Sequence, residues 1–567
     1  MYVKVSTVRS GKKAYRYLTL AESYRDGQGR PRHRVVARLG EVAEMTSSGE
    51  LERVVDALSA QLGRERLELD ATSALSVGAM AACEAYFSRL GLDELFSRIG
   101  KSRRSTGLPD AVFAMVSNRL QDPSSKRRCV TDWIGADVVL PDGRKLPSLD
   151  RLYRALDAVS DSAREIESHV FSAVCSLTNL DLRLVCYDLT STYFEGEAKA
   201  TKAFPSKAFG YSRDKRGDRP QIVIGLLVTS DGIPIAHHVF PGNTADASTL
   251  TGVLDDLQER FGVGRIAVVC DRGLISEENL EVLSERGFDH VIATRLHRDN
   301  AVRAVLSMAA SDDASFVPVG DDGTSACEVT YEGARYVVVD SPARHVRDDA
   351  RRIELLARTE DRLIALGERV RSGRLADPAK IGAAADRILR DSGVGRCFVT
   401  KISQGIFLWD YDEEQMTYEE TLLSGRYVVT TSLDKKAAST AAVVSHYQSL
   451  QMVEARFRVL KDFLALRPVF HYTERRVRGH VAICVLAAVI EALMAIDLGQ
   501  VGIADPDLPG QTMTPRRALR ELERVRRISF LDQHGAERSV TTRPSALQAQ
   551  LLSAFGVDTS TFRSRVA

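Results

Sequence analysis

Residues 187–196 read Tyr-Asp-Leu-Thr-Ser-Thr-Tyr-Phe-Glu-Gly, and the run before them, residues 182–186, reads Leu-Arg-Leu-Val-Cys. This short apolar run with β-branched content predicts a strand over Leu184–Asp188, with Asp188 where the strand runs out. A carboxylate at the carboxyl end of a buried strand is where open α/β sheets place their chemistry. Taken alone, a solvated strand-end aspartate explains Asp188 equally well. Residues 265–273, Arg-Ile-Ala-Val-Val-Cys-Asp-Arg-Gly, repeat the pattern and end on Asp271. Two strands of one sheet that deliver carboxylates at the same end can hold a divalent cation between them.

Between and beyond these stretches the pattern is α/β. Residues 221–243 predict two strands around a Ser230-Asp231-Gly232 turn. A helix is predicted over Ala245–Phe261, capped by Asn243 or Thr244, then a strand over Ile266–Asp271. Ser276–Arg286 reads as a helix in which Ser276 and Asn279 form a weak capping-box match, and His290–Arg295 as a further strand. Strand, hairpin, helix, strand, helix, strand is the order of a ribonuclease-H-like mixed sheet. In that fold the first and fourth strands are adjacent and parallel, which makes Asp188 and Asp271 neighbours. Residues 300–424 interrupt the order. They hold a hairpin over Cys327–Asp340, a charged helix over Asp348–Val370 with Leu355, Leu356, Leu363 and Leu366 on one side, and a β-like stretch over Arg396–Asp410. A structureless loop of that length is rare, so this reads as an inserted α+β domain. The sheet resumes at Gly425–Ser432.

A third acid comes from a helix over Lys436–Ala465. Leu450, Val453, Phe457, Leu460 and Leu464 form its buried stripe. Tyr447, Glu454 and Lys461 recur at intervals of about two turns and share one face. Glu454 lies about 40° around from Leu450, on the edge of the stripe, where it can lean over the sheet end. A plain salt-bridging helix is the competing reading for Glu454 and Lys461. The coincidence with two strand-end aspartates weighs against it.

The flanks differ in character. Residues 1–45 read as a basic β-module: the first forty carry ten Lys and Arg against Glu22 and Asp26, interleaved with Tyr15, Tyr17 and Tyr24. Turns fall at Ser10-Gly11 and Asp26-Gly27. Such a module suits DNA phosphates, with Arg30, Arg32 and Arg34 as candidate contacts; a solvated sheet face is the alternative. Residues 41–72 read as a linker with one helix around Gly49–Leu62. Residues 73–180 are helical throughout and read as an all-α module for DNA binding, dimer contact or both. In it Lys126, Arg127 and Arg128 beside Trp133 suit either DNA or an exposed loop. Residues 425–475 complete the core, and 476–567 read as helical, with helices over Gly479–Leu498, Arg516–Ile528 and Ser545–Phe555.

Composition sets outer bounds. A chain of 567 residues suggests about three or four domains. Net charge is +1, so any basic surface is local. No run of ~18 uninterrupted apolar residues is present; Val481–Leu493 with Glu491 reads as a buried helix, and no membrane partner is expected. The first ten residues lack the apolar core of a secretory signal. Eight scattered cysteines without a Cys-x-x-Cys pair fit reduced thiols in a cytoplasmic protein and argue against zinc.

These residues resemble the DDE transposases of bacterial insertion sequences, closest to the supergroup of insertion sequence four. The likeness rests on Tyr187–Gly196, on residues 268–276 and on the helix Tyr447–Lys461. That supergroup's helix signature is Tyr, two residues, Arg, three residues, Glu, six residues, Lys; here the Arg position holds Leu450. Residues 467–480 and the basic start are also similar to the family. The resemblance implies a ribonuclease-H-like core with an insertion before the glutamate. It also implies a transposase that binds terminal inverted repeats, cuts the element's ends and joins them to target DNA. Three carboxylates suit Mg²⁺, for which Mn²⁺ substitutes, and two ions serve an in-line phosphodiester displacement. Asp188 is expected to bridge them, with Asp271 and Glu454 each favouring one. Lys461 and Arg272 are expected at phosphates, Tyr447 against the DNA, and a homodimer on the DNA in the bacterial nucleoid.

Several residues are set aside. Glu195, Glu197, Asp231, Asp246, Glu277 and Asp462 read as turn, cap or surface acids. His446, His471 and His480 read as structural or phosphate-facing, not as metal ligands. Trp409 reads as core before base-stacking. A ribonuclease-H-like nuclease that cuts without joining is the alternative, and a metal-dead DNA-binding derivative is disfavoured by the three intact acids. A haloacid-dehalogenase-type phosphatase needs Asp-x-Asp, and the second position after Asp188 is Thr190.

Overall fold

The computed structural model describes residues 2–10, 13–62, 70–102, 105–178, 183–195, 204–261, 266–274, 276–294, 300–311, 314–531 and 536–562. Gly11, Gly196, Glu197, Lys199, Arg295 and the Arg272 and Glu277 side chains therefore lie outside the described set. The chain divides into two units, residues 1–74 with 527–542, and residues 75–526 with 543–563.

In the first unit β1 (Tyr2–Ser10), β2 (Lys13–Arg25) and β3 (Pro31–Glu41) form an antiparallel sheet in that order. The turn after β2 is closed by Asp26, whose Oδ1 accepts the backbone N–H of Gln28 and of Arg30, each at 3.0 Å. The stretch expected to be a linker with one helix holds two, Val42–Ser47 and Glu50–Gln61, followed by β4 (Asp70–Ser76).

The second unit is built on a nine-stranded sheet. Its central strands are β5 (Leu184–Tyr193), β6 (Gln221–Thr229), β7 (Pro234–Pro241), β8 (Ala267–Cys270) and β9 (Asp289–Ala293). Outer strands are β10 (Val317–Pro318), β11 (Ser325–Tyr331) and β12 (Ala334–Asp340). The hairpin β13 (Phe398–Ser403) and β14 (Ile406–Tyr411) stands apart, and β15 (Arg426–Thr431) returns to the sheet. The order is β10-β11-β12-β15-β9-β8-β5-β6-β7. The segment β7-β6-β5-β8-β9, with β5–β6–β7 antiparallel and β5–β8–β9 parallel, is the ribonuclease-H-like arrangement.

The expected first strand ends too early. β5 does not stop at Asp188; it continues to Tyr193, because Leu189–Tyr193 goes on pairing antiparallel with Gln221–Gly225. Its partner β8 is the strand that stops there. The stretch 300–424 also divides differently from a single insert. The hairpin β11–β12 joins the main sheet, since Arg335–Asp340 pairs with Arg426–Thr431. A separate hydrophobic cluster, with Leu356, Leu363, Leu366, Ile381 and Phe407, forms on helices Pro342–Arg371 and Pro378–Ser392 and on β13–β14. Trp409 packs in it against Phe398 and Tyr411, as a core residue does.

The segment 73–180 is not helical throughout: residues 134–148 form turns and irregular backbone, but helices Gly78–Arg89, Leu92–Ser102, Leu108–Gln121, Leu149–Asp161 and Ala163–Leu177 are present. They pack around Glu474–Val501, which Thr473 caps by accepting the Arg476 N–H and left-handed Gly502 (φ 68°) ends. That helix is long and apolar enough to cross a membrane by length and composition, but 83% of its apolar window is buried inside the protein. After helix Pro515–Leu522 the expected helix gives way to β16 (Arg526–Leu531) and β17 (Glu537–Thr541), which with β4 make a sheet in the order β17-β16-β4. Only the end of the arginine-rich run, from Arg526, leaves the helix, where its backbone pairs across strands.

Candidate active site

Register places the two aspartates. β5 and β8 run parallel from Leu184 opposite Ala267 to Tyr187 opposite Cys270. Asp188 and Asp271 each follow that last rung, so both leave the ladder at the same level. The flanking sequence is apolar because the sheet is covered on both faces: Val185, Cys186, Tyr187 and Leu189 are buried, as are Val268, Val269 and Cys270. Tyr187 turns away to donate to Thr249 Oγ1 at 3.1 Å. Asp188, one residue on, points to the opposite face.

The Glu454 helix lies over β5 and β6. Thr440–Gln448 and Leu450–Arg458 meet at Ser449, and a π-turn over Val459–Phe463 follows. The expected stripe is buried: Leu450, Val453, Phe457, Leu460 and Leu464 all lie in the core. Two further contacts fix the helix phase. Arg456 ion-pairs with buried Glu491 of the Glu474–Val501 helix. Arg119 donates to the Leu464 and Ala465 carbonyls at 3.2 and 3.1 Å, closing the helix end. Glu454 is thereby left exposed at the stripe's edge.

Electrostatics tie the three acids together. Burial pushes the Asp188 carboxyl up to about 7, and the charges of Asp271 and Glu454 push the same way; the Leu189 N–H at 2.7 Å and Arg213 oppose them. Burial likewise raises the Tyr447 hydroxyl to about 12, with Asp271 and Glu454 contributing. Among the described residues no three His, Cys, Asp or Glu side chains already stand together at metal-ligating distances. The donor set nevertheless suits a hard divalent cation: three carboxylates, one of them half-buried and raised by the charge of the other two.

Other expected residues fall in varied settings. Lys461 is nearly buried, its Nζ 2.8 Å from Asp214 Oδ1, and burial lowers its pKa. Arg467 shares the same aspartate. Arg272 begins a short 3₁₀ turn directly after Asp271. Arg32 pairs with Asp26 at 3.0 Å and Arg34 with Glu22, both at exposed positions, and Arg30 is exposed. Lys126 is neither a surface nor a loop cation; it is buried 3.4 Å from His480 Nδ1. His471 packs against His480 with the rings tilted, their centroids 5.2 Å apart.

Arg213 and Asp214 join the site without a local signal in the sequence. Arg213 sits beside Asp188, its backbone N–H donating to Ser191 Oγ at 3.0 Å and its guanidinium to Asp246 at 2.7 Å. Both residues come from a polar stretch without periodicity, so only the excess of charge there marks them.

A ribonuclease-H-like sheet with acids at the shared end of its parallel strands defines a class of enzymes that cut and transfer nucleic-acid strands. Residues 180–490 match the transposase DDE domain, and residues 3–71 match the N-terminal domain of IS1634 family transposases. The chain therefore belongs to the DDE transposases of insertion sequences, enzymes that cut and transfer DNA strands, and its N-terminal stretch is similar to that of IS1634 family transposases. Such transposases generally use divalent metal ions. Among solved structures the chain is similar to a piggyBac transposase synaptic complex with hairpin DNA, at 11% identity over 73% of this chain and 70% of that one, TM-score 0.36. It is also similar to a Mos1 transposase paired-end complex with left transposon end, at 12% identity over 32% of this chain and 57% of that one, TM-score 0.15. No curated protein matches.

Proposed function

We propose that Asp188, Asp271 and Glu454 are the catalytic acids of this transposase and hold two Mg²⁺ ions, which Mn²⁺ can replace. The observation that supports this most is the register of Tyr187 with Cys270, after which both aspartates leave the ladder at one level, with the Glu454 helix packed over β5. When bound, the ions activate the attacking oxygen and stabilise the leaving one. The protein's part is to position and to screen. Burial of Asp188 strengthens its hold on a cation, because an unneutralised carboxylate is costly there. Arg213 orders the loop over the aspartate. Lys461 exchanges Asp214 for a phosphate oxygen beside the scissile bond, Tyr447 packs against the strand, and Arg272 contacts a phosphate. Arg30, Arg32 and Arg34 hold backbone phosphates of the terminal inverted repeat. An element has two ends and each chain has one such site, so two copies act together on the DNA, in the bacterial nucleoid.

The test is a cleavage and joining assay on the element's own terminal DNA, with Mg²⁺, with Mn²⁺ and with chelator. Metal-dependent nicking followed by joining to a target duplex is expected. Nicking that never proceeds to joining would instead define a simple nuclease.

A further inference from the structure

The helix signature of the resemblance carries an arginine where this chain has Leu450. Leu450 is 8% exposed and part of the packed stripe, so that position is given to the core. On the same side of the Glu454 helix lies a cleft of about 650 Å³ that Leu450 and Glu454 both line. Its other wall is the start of helix Pro342–Arg371, with Arg344 and Arg347, and Arg458 stands one turn beyond Glu454. Tyr427 and Tyr447 form the floor, their ring centroids 5.5 Å apart. The Arg344 guanidinium lies 5.2 Å from the Tyr427 ring and 3.3 Å from Asp348. Arg347 and Arg458 are exposed and form no ion pair with the described residues. Asp322 and Glu454 are the two acids on the lining.

We propose that this cleft binds a backbone phosphate of the element-end DNA next to the scissile one, and that Arg344 and Arg347 supply its guanidinium contacts. The inference rests on the reading of Glu454 as a catalytic acid, since that residue brings the DNA to this wall. Asp348 already offsets Arg344, so the cations of the lining that form no ion pair with the described residues are Arg347 and Arg458. Arg344 is also held by stacking on Tyr427 while its fork stays open to a second acceptor, the geometry guanidinium uses for phosphate.

The experiment uses the full chain without divalent metal and a duplex of the element's end, with single neutral methylphosphonates scanned around the cut. Wild type should bind about tenfold or more weakly at one or two positions, the scale of one charge-assisted hydrogen bond removed. The Arg344→Ala, Arg347→Ala double variant should bind unmodified DNA as weakly as wild type binds those duplexes, and be insensitive to methylphosphonates at the same positions. Losses that multiply at every position would overturn the proposal, as would a wild-type scan with no sensitive position beside the cut. Arg347→Ala alone, at an exposed residue without an ion pair among the described residues, keeps the scan readable if the double variant folds poorly. Binding is read without chemistry, so failure of the catalytic assignment shows in the cleavage assay and not here.

Discussion

Asp188 and Asp271 are the first residues beyond the last parallel rung between their strands, Tyr187 opposite Cys270. One strand ends there while the other runs on, and Asp188 is half-buried where Asp271 is exposed. The two carboxylates leave the parallel ladder at one level but differ in environment.

Asp188→Asn therefore separates binding from chemistry. The amide keeps the shape and removes the charge that holds cations. Nicking and joining should fall together by about 10³-fold or more, some 4 kcal/mol of transition-state stabilisation. Gel-shift affinity for the terminal DNA should persist, because end recognition rests on basic side chains elsewhere. A variant that cuts at the wild-type rate would remove Asp188 from the mechanism.

The N-terminal module should contribute salt-sensitive affinity. Changing Arg30, Arg32 and Arg34 to Ala should lower the log–log salt slope by roughly 0.9 for each phosphate that is no longer neutralised. The exposed pairs Arg32–Asp26 and Arg34–Glu22 add little to stability, so thermal unfolding should hardly move. An unchanged slope would make the module a structural or partner-binding element.

Lys126 predicts a pH dependence of stability. Burial lowers its pKa from 10.5 to about 7, with Arg119 adding to the shift. The unfolded chain then binds more protons between those two values, so this group's contribution to stability rises with pH across that window. Below about pH 7 the penalty is fully present. Lys126→Met should raise the melting temperature most at or below neutrality, with an upper bound of about 5 kcal/mol at 1.36 kcal/mol per pH unit, and the gain should shrink toward pH 10. A gain that does not vary with pH would show that the lysine is not the cause.

Gly225→Ala should disturb the strand under the site. A Cβ there would meet the Tyr187 hydroxyl at 2.5 Å and its ring carbon at 2.9 Å. Tyr187 is fully buried and bonded to Thr249, so it has little room to yield. Overpacking of this kind costs about 1–3 kcal/mol, measurable by denaturant unfolding. A fully neutral substitution would place the Tyr187 ring elsewhere.

Much of the core is legible in the amino-acid sequence. Apolar runs ending in Asp188 and Asp271, the hairpin turn at Ser230–Gly232 and the stripe from Leu450 to Leu464 are local signals, and local periodicity reports which face a strand or helix buries. The same signals carry the five helices of 73–180 and the buried helix around Val481–Leu493. They also carry the spacing of Tyr447, Glu454 and Lys461, which is a property of one helix.

Sequence alone thus sets which residues alternate, cap and turn, and hence the order of elements and the phase of the Glu454 helix. The choice of partners belongs to the folded chain. That β5 runs on past Asp188, that β11 and β12 join the main sheet, and that Arg526–Leu531 pairs as a strand depend on hydrogen bonds to segments distant along the chain. Lys126 reads as a DNA-facing or exposed-loop cation until a remote helix covers it with His480, and Lys461 reads as a phosphate contact or a salt bridge within its helix until Asp214 meets it from a stretch with no periodicity. Backbone pairing and the burial of a charge are set by what arrives from elsewhere, and a local pattern carries no record of that.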